Sequence, residues 1–124
     1  MSRWALCLLL VTAGTLHIAV PGPYRSIVPA PLQSHAATVV ALSGACEGLC
    51  ALLIAVPRTR HAGALATVAL FVAVFPANVQ MALDAVPPCG VPLTAGCVLA
   101  WLRLPLQAPL ILWAWSVRPM RAPR

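Results

Sequence analysis

The single glutamate of the chain, Glu47, lies in the middle of an apolar run from Ala36 to Val56. A charged side chain at the centre of a hydrocarbon layer costs about 2.5–3.5 kcal/mol on insertion scales, so such a residue is expected to face protein or water rather than lipid. Four more polar residues interrupt apolar runs in the same way: His17, Asn78, Arg103 and Gln107. Glu47 stands about eleven residues into its run, or roughly 16 Å along a helix. The other four fall between that level and one end of their own segments. Arg103 and Gln107 are four apart and share a helix face. The five residues are therefore expected to converge on one buried polar cluster, in which Glu47 either pairs with Arg103 or keeps its proton because burial disfavours charge. Two roles are open to such a cluster. It holds helices together through hydrogen bonds worth about 0.6 kcal/mol each, or it binds a ligand, a proton or a quinone head group.

Other residue types offer less. The five cysteines, Cys7, Cys46, Cys50, Cys89 and Cys97, form no CxxC pair and no Cys/His metal spacing. They read as small apolar fillers. Cys46 and Cys50 are one turn apart and are predicted to share a face, and Cys89 and Cys97 would be able to pair if they lie outside a membrane. Phe71 and Phe75 read as packing or lipid-facing residues rather than a stacking site. There is no Gly-rich phosphate loop, no pair of carboxylates and no HExxH. A Ser/His/Asp set would have to be gathered from scattered positions with nothing to order it. No catalytic or metal-ligating residue is assigned, no cofactor is specified, and enzymatic activity is left open.

The elements that position these residues are set by composition. Hydrophobic residues make up 61% of the 124-residue chain and charged residues 8%, against about 25% charged in a soluble domain. A soluble surface cannot be built from that inventory, so lipid is expected to cover most of the outside. The net charge of +6 does not indicate nucleic acid, because the arginines are dispersed between apolar runs instead of gathered on one polar face.

Crossing a hydrocarbon core takes roughly 20 apolar residues. Four spans are predicted, at about 4–20, 36–56, 61–83 and 98–117. The first, behind Arg3, imitates a signal peptide, but no A-x-A site follows and three more apolar segments do, so it reads as a retained span. Pro76, Pro105 and Pro109 fall inside spans, as tolerated kinks. Gly44 and Gly48 flank Glu47 as a small-xxx-small pair, with Ser43 and Ala51 extending the small surface for a neighbouring helix. Arg3, Arg58, Arg60, Arg118, Arg121 and Arg124 flank the ends on one side of a four-span chain, while Arg25, Arg103 and Asp84 belong to the other. By the positive-inside rule both termini are cytoplasmic. The Pro-rich stretch from Pro21 to His35, with Tyr24, is then outside, either as an ordered cap or as a plain connector. The fold class is an all-α integral membrane four-helix bundle formed by a single domain over 1–124.

Several of these residues lie in longer motifs. Gly14-Thr15-Leu16-His17, with Pro21 and Tyr24-Arg25-Ser26-Ile27-Val28-Pro29, resembles the G-x-x-HF-x-x-P…Y…IVP stretch of the bacterial DoxX-like membrane proteins, with Ile18 where that family usually has Phe. Ser43-Gly44-Ala45-Cys46-Glu47 is similar to its SG-x-x-E. Val74-Phe75-Pro76-Ala77-Asn78-Val79-Gln80-Met81-Ala82 and Leu102-Arg103-Leu104-Pro105-Leu106-Gln107 are similar to its VFPAN-x-x-MA and LRLPLQ. The resemblance implies a four-helix bundle in the plasma membrane of a bacterium. Its members are linked to a terminal quinol oxidase and to membrane oxidoreductase or thiol-stress assemblies. A haem role does not follow, because a lone intramembrane histidine, His17, cannot supply two axial ligands.

The leading expectation is an accessory or ligand-binding subunit linked to membrane redox processes involving quinones or thiols. Its expected partners are the lipid bilayer and other membrane redox subunits, with no nucleic acid. A proton-coupled small-molecule transporter is the first alternative, although small four-helix exporters carry their glutamate in the first span and not the second. A purely structural assembly factor is the other.

Overall fold

Long apolar runs broken by proline and glycine dictate where helices begin and end. The computed structural model describes residues 2–85 and 95–119, and among them there are helices and no strand. Helix α1 covers Arg3–Ala19 and stops before Pro21. Proline's fixed φ suits the first turn of a helix, and Pro21 opens a short second helix, α2, over Pro21–Ser26. A 3-10 segment, Ala30–His35, leads directly into α3, Ala36–Ala55. The stretch 21–35 expected as a cap or connector thus carries two helical turns of its own.

After a tight turn, α4 runs over Arg60–Asp84 and continues through Pro76. Helix α5, Ala95–Ser116, contains Pro105 and Pro109. The turn between α3 and α4 depends on Gly63. A Cβ there would lie 2.7 Å from Ile54 N, and Thr59 Oγ1 closes the turn by donating to Leu53 O at 2.9 Å.

The helix count differs from the four spans predicted. Among the described residues there are five α-helices, and three stretches are long and apolar enough to cross a membrane: Ala30–Ala55, Arg60–Asp84 and Cys97–Ser116. Helix α1, with 17 residues, reaches only about 25 Å at 1.5 Å per residue. Pro87 and Pro88, which follow the third predicted span, and Cys89, Arg121 and Arg124 lie outside the described residues.

The long helices pack in chain order, α1 on α3, α3 on α4 and α4 on α5. Each pair is antiparallel: Cys7 Sγ donates to Ala51 O at 3.4 Å while Gly14 lies against Gly44, and Arg60 bonds near residue 117 while Asn78 bonds Gln107. The main core draws Leu6 and Leu10 from α1, Ile54 from α3, Ala64 and Phe71 from α4, and Ala114 from α5. It lies toward the end that carries the start of α1, the α3–α4 turn and the end of α5, here the basic end. Arg60 ties that end together, its Nε donating to Val117 O at 2.7 Å. At the opposite, cap end a smaller cluster joins Val28, Ala36 and Val40, with Tyr24 packed against it. The exterior is apolar, with Leu8 68% and Leu112 67% exposed.

Candidate functional site

Between the dry core and the cap lies a cavity of about 460 Å³, walled by α1, α3, α4 and α5 and bordered by the Tyr24–Leu32 segment. His17, Glu47, Asn78, Arg103 and Gln107 all line it. The helices place them there by simple register. On α3 the buried positions are Ala36, Val40, Gly44, Glu47, Ala51 and Ile54, with Cys50 beside them, a stripe at three- and four-residue spacing that faces the bundle. On α1 the stripe Leu6, Leu10 and Gly14 continues to His17 in the last turn.

The close approach of α1 and α3 sets the first part of the site. A Cβ on Gly14 would lie 2.6 Å from Gly44 O, and one on Gly44 would lie 2.9 Å from Gly14 O and from His17 Cβ. This crossing replaces the small-xxx-small pair expected from the sequence. Gly48 has nothing within 4 Å of its Cβ position and faces away. The same rotation separates Cys46, which is exposed, from Cys50, which is buried. Four residues advance a helix by about 400°, so the two differ by about 40° and straddle the edge of the packed stripe.

With α1 held this close, His17 reaches Glu47. His17 Nδ1 lies 3.2 Å from Glu47 Oε2 and 2.8 Å from Ala13 O. A carbonyl only accepts, so the proton sits on Nδ1 and is directed along the helix to Ala13 O. Glu47 Oε2 is thus alongside the ring without a hydrogen bond of its own, and it is a buried oxygen lacking a partner. The residue is 7% exposed. One face of the imidazole is covered by Tyr24, whose ring stacks at 3.9 Å between centroids and 29° between planes. Tyr24 thus lies as an aromatic lid on His17.

The expected pairing of Glu47 with Arg103 is corrected. Among the described residues Glu47 has His17 as its ion-pair neighbour, whereas Arg103 is exposed and directs Nη1 to Met81 Sδ at 3.5 Å. The reason is geometric: Gly14 and Gly44 bring α1 within reach of Glu47, while Arg103 is directed to Met81 on α4.

Asn78 and Gln107 serve one another. Asn78 Nδ2 donates to Gln107 Oε1 at 3.0 Å, and Gln107 Nε2 donates to Phe71 O. They bind α4 to α5 and form a wall of the cavity. Phe71 is buried and lines the same wall, whereas Phe75 points outward.

Sequence reasoning did not assign Ser43 to the site. It lines the cavity one turn before Glu47, and its Oγ is buried with no partner. The signal was its four-residue spacing from Glu47, which reads equally well as part of a small packing surface. Cys97 donates to Ala85 O, and its expected partner Cys89 is outside the described residues. No group of three or more His, Cys, Asp or Glu placed to hold a metal occurs among the described residues.

Residues 6–118 match the domain of unknown function DUF8561, and the chain belongs to that family. No curated protein and no solved structure matches it.

Proposed function

For this member of the DUF8561 family we propose a multi-pass integral membrane protein that binds a small amphipathic molecule, acting as an accessory or ligand-binding subunit of a membrane redox assembly. The observation that carries the binding reading is the cavity itself: apolar walls from four helices surround a buried carboxylate oxygen with no hydrogen-bond partner. A group used only to join helices would be satisfied by them, as Asn78 and Gln107 are. An orphaned buried acceptor costs about 1–3 kcal/mol, and a ligand donor placed there would recover that energy.

Three long apolar helices, an apolar exterior and arginines at one end support the membrane placement. With α1 as a further, short span, both termini lie in the cytoplasm and the cap end outside, so the cavity occupies the outer half. The resemblance of the His17, Glu47, Asn78 and Arg103 motifs to DoxX-like proteins supports a bacterial plasma-membrane setting and a link to quinone or thiol redox chemistry.

Native mass spectrometry of the protein extracted in mild detergent tests the binding role. Wild type is expected to retain a small molecule of defined mass, and Glu47→Gln and Arg103→Leu to lose it while still inserting. A wild-type spectrum showing bare protein with a stoichiometric partner subunit would instead favour a structural assembly factor. The adjacency of Glu47 to His17 also favours a second reading, proton-coupled transport; uptake into vesicles that requires a pH gradient and vanishes in Glu47→Gln would establish it.

A further inference from the structure

The groups that remain unpaired inside the cavity differ from those already engaged, and the difference specifies the ligand. On the donor side, the His17 Nδ1 proton goes to Ala13 O, an Asn78 Nδ2 proton to Gln107 Oε1, and a Gln107 Nε2 proton to Phe71 O. By contrast, Glu47 Oε2, whose ion-pair neighbour is the His17 ring at 3.2 Å, and the Ser43 hydroxyl are both buried and without a hydrogen-bond partner. They stand one turn apart on α3 and line the same cavity. None of these donated protons reaches Glu47 Oε2.

Resting on the binding reading above, we propose that the ligand is a lipophilic amine, bound as its ammonium with N–H groups directed to Glu47 Oε2 and Ser43 Oγ and its apolar body along the cavity wall. An ammonium supplies three donors and a positive charge, which a buried carboxylate requires. The ring of Tyr24, already stacked on His17, and that of Phe71 supply aromatic surface on the same cavity, where a desolvated cation gains further attraction. Arg103 also lines the cavity, but it is exposed and engaged with Met81 Sδ. Its charge opposes a cation held near it and favours one held at Glu47, so the amine lies head-first at Glu47. An anionic ligand would be drawn to Arg103 and leave the Glu47 oxygen orphaned.

The test compares hexylamine, hexanol and hexanoate, which share one chain and differ in the head group. Binding is measured calorimetrically to the full chain in nanodiscs of zwitterionic lipid, with empty nanodiscs as the blank. Hexylamine is expected to bind saturably and the other two at least about tenfold more weakly, the discrimination typical of a charge-assisted hydrogen bond. Glu47→Gln keeps the shape and removes the charge, and it should weaken hexylamine about tenfold or more; Ser43→Ala should weaken it by a smaller factor. Hexanol binding as tightly as hexylamine, or hexylamine binding unaffected by Glu47→Gln, would overturn the cation assignment. Hexanoate binding that is lost in Arg103→Gln would overturn it in favour of an anion site. If none of the three binds while native mass spectrometry still finds a retained molecule, the amine fails and the binding cavity stands. If no molecule is retained either, both fail.

Discussion

Gln107 shows how much one side chain does between α4 and α5. Its amide accepts from Asn78 and donates to Phe71 O, so it satisfies two groups of α4 at once. It is 6% exposed, and water cannot replace it. Gln107→Leu keeps the volume, removes the acceptor of the Asn78 amide and takes the side-chain bond from Phe71 O. The expected loss is about 1–2 kcal/mol, somewhat above the average interhelical hydrogen bond in membranes because two bonds go together. Unfolding in mixed micelles measures it. Asn78→Ala removes one of the two and should cost less, which separates the network from a simple volume effect. Glu47 behaves in the opposite sense. It contributes an acceptor that nothing in the fold fully meets, so Glu47→Gln is expected to leave stability near wild type while abolishing ligand retention.

At the scale of elements, the α1–α3 crossing decides the site. The two backbones touch at Gly14 and Gly44, which lets the last turn of α1 set His17 beside Glu47. A methyl at Gly14 would meet Gly44 O at 2.6 Å, and the obstacle is backbone that cannot swing aside. Gly14→Ala should therefore cost about 1–3 kcal/mol, as overpacking does, and should separate His17 from Glu47. Gly48→Ala meets nothing within 4 Å, so it should be neutral or stabilising by up to about 1 kcal/mol from helix propensity. Thermal unfolding of the two variants side by side checks this. Equal effects would mean that Gly48 also lies in a helix contact.

For the molecule as a whole, the two ends of the bundle differ. The basic end is sealed by a dry core and by Arg60 donating to Val117 O. There Arg118 lies over the ring of Trp115 and Arg3 over that of Trp4, arrangements suited to a membrane–water boundary. The cap end is less filled and contains the cavity. On the proposed topology, a fluorescent reporter fused after Arg124 should be active in the cytoplasm, and an alkaline phosphatase inserted near Gln33 should be active outside. The opposite pattern would place the cavity in the inner half. A reporter fused ahead of Arg3 tests α1 separately: reporters at the two ends on opposite sides would mean that this 17-residue helix does not cross.

Reading along the chain was enough to find the long apolar helices, their order and the five polar residues that interrupt apolar runs, but not the short helical turns within 21–35, because segment length and local polarity are properties of consecutive residues. The interruptions at Pro21 and Pro57 and the lone Glu47 are visible without any contact being known. What the sequence left open was the rotation of each helix about its own axis. A span that is apolar on every side has no polar face to fix its orientation, so spacing alone made Gly44 and Gly48 equivalent, and likewise Cys46 and Cys50. Tertiary packing chose Gly44 and Cys50 for the interior. It also chose the partner of Glu47, since only the close glycine contact makes α1, rather than α5, the helix that reaches the carboxylate.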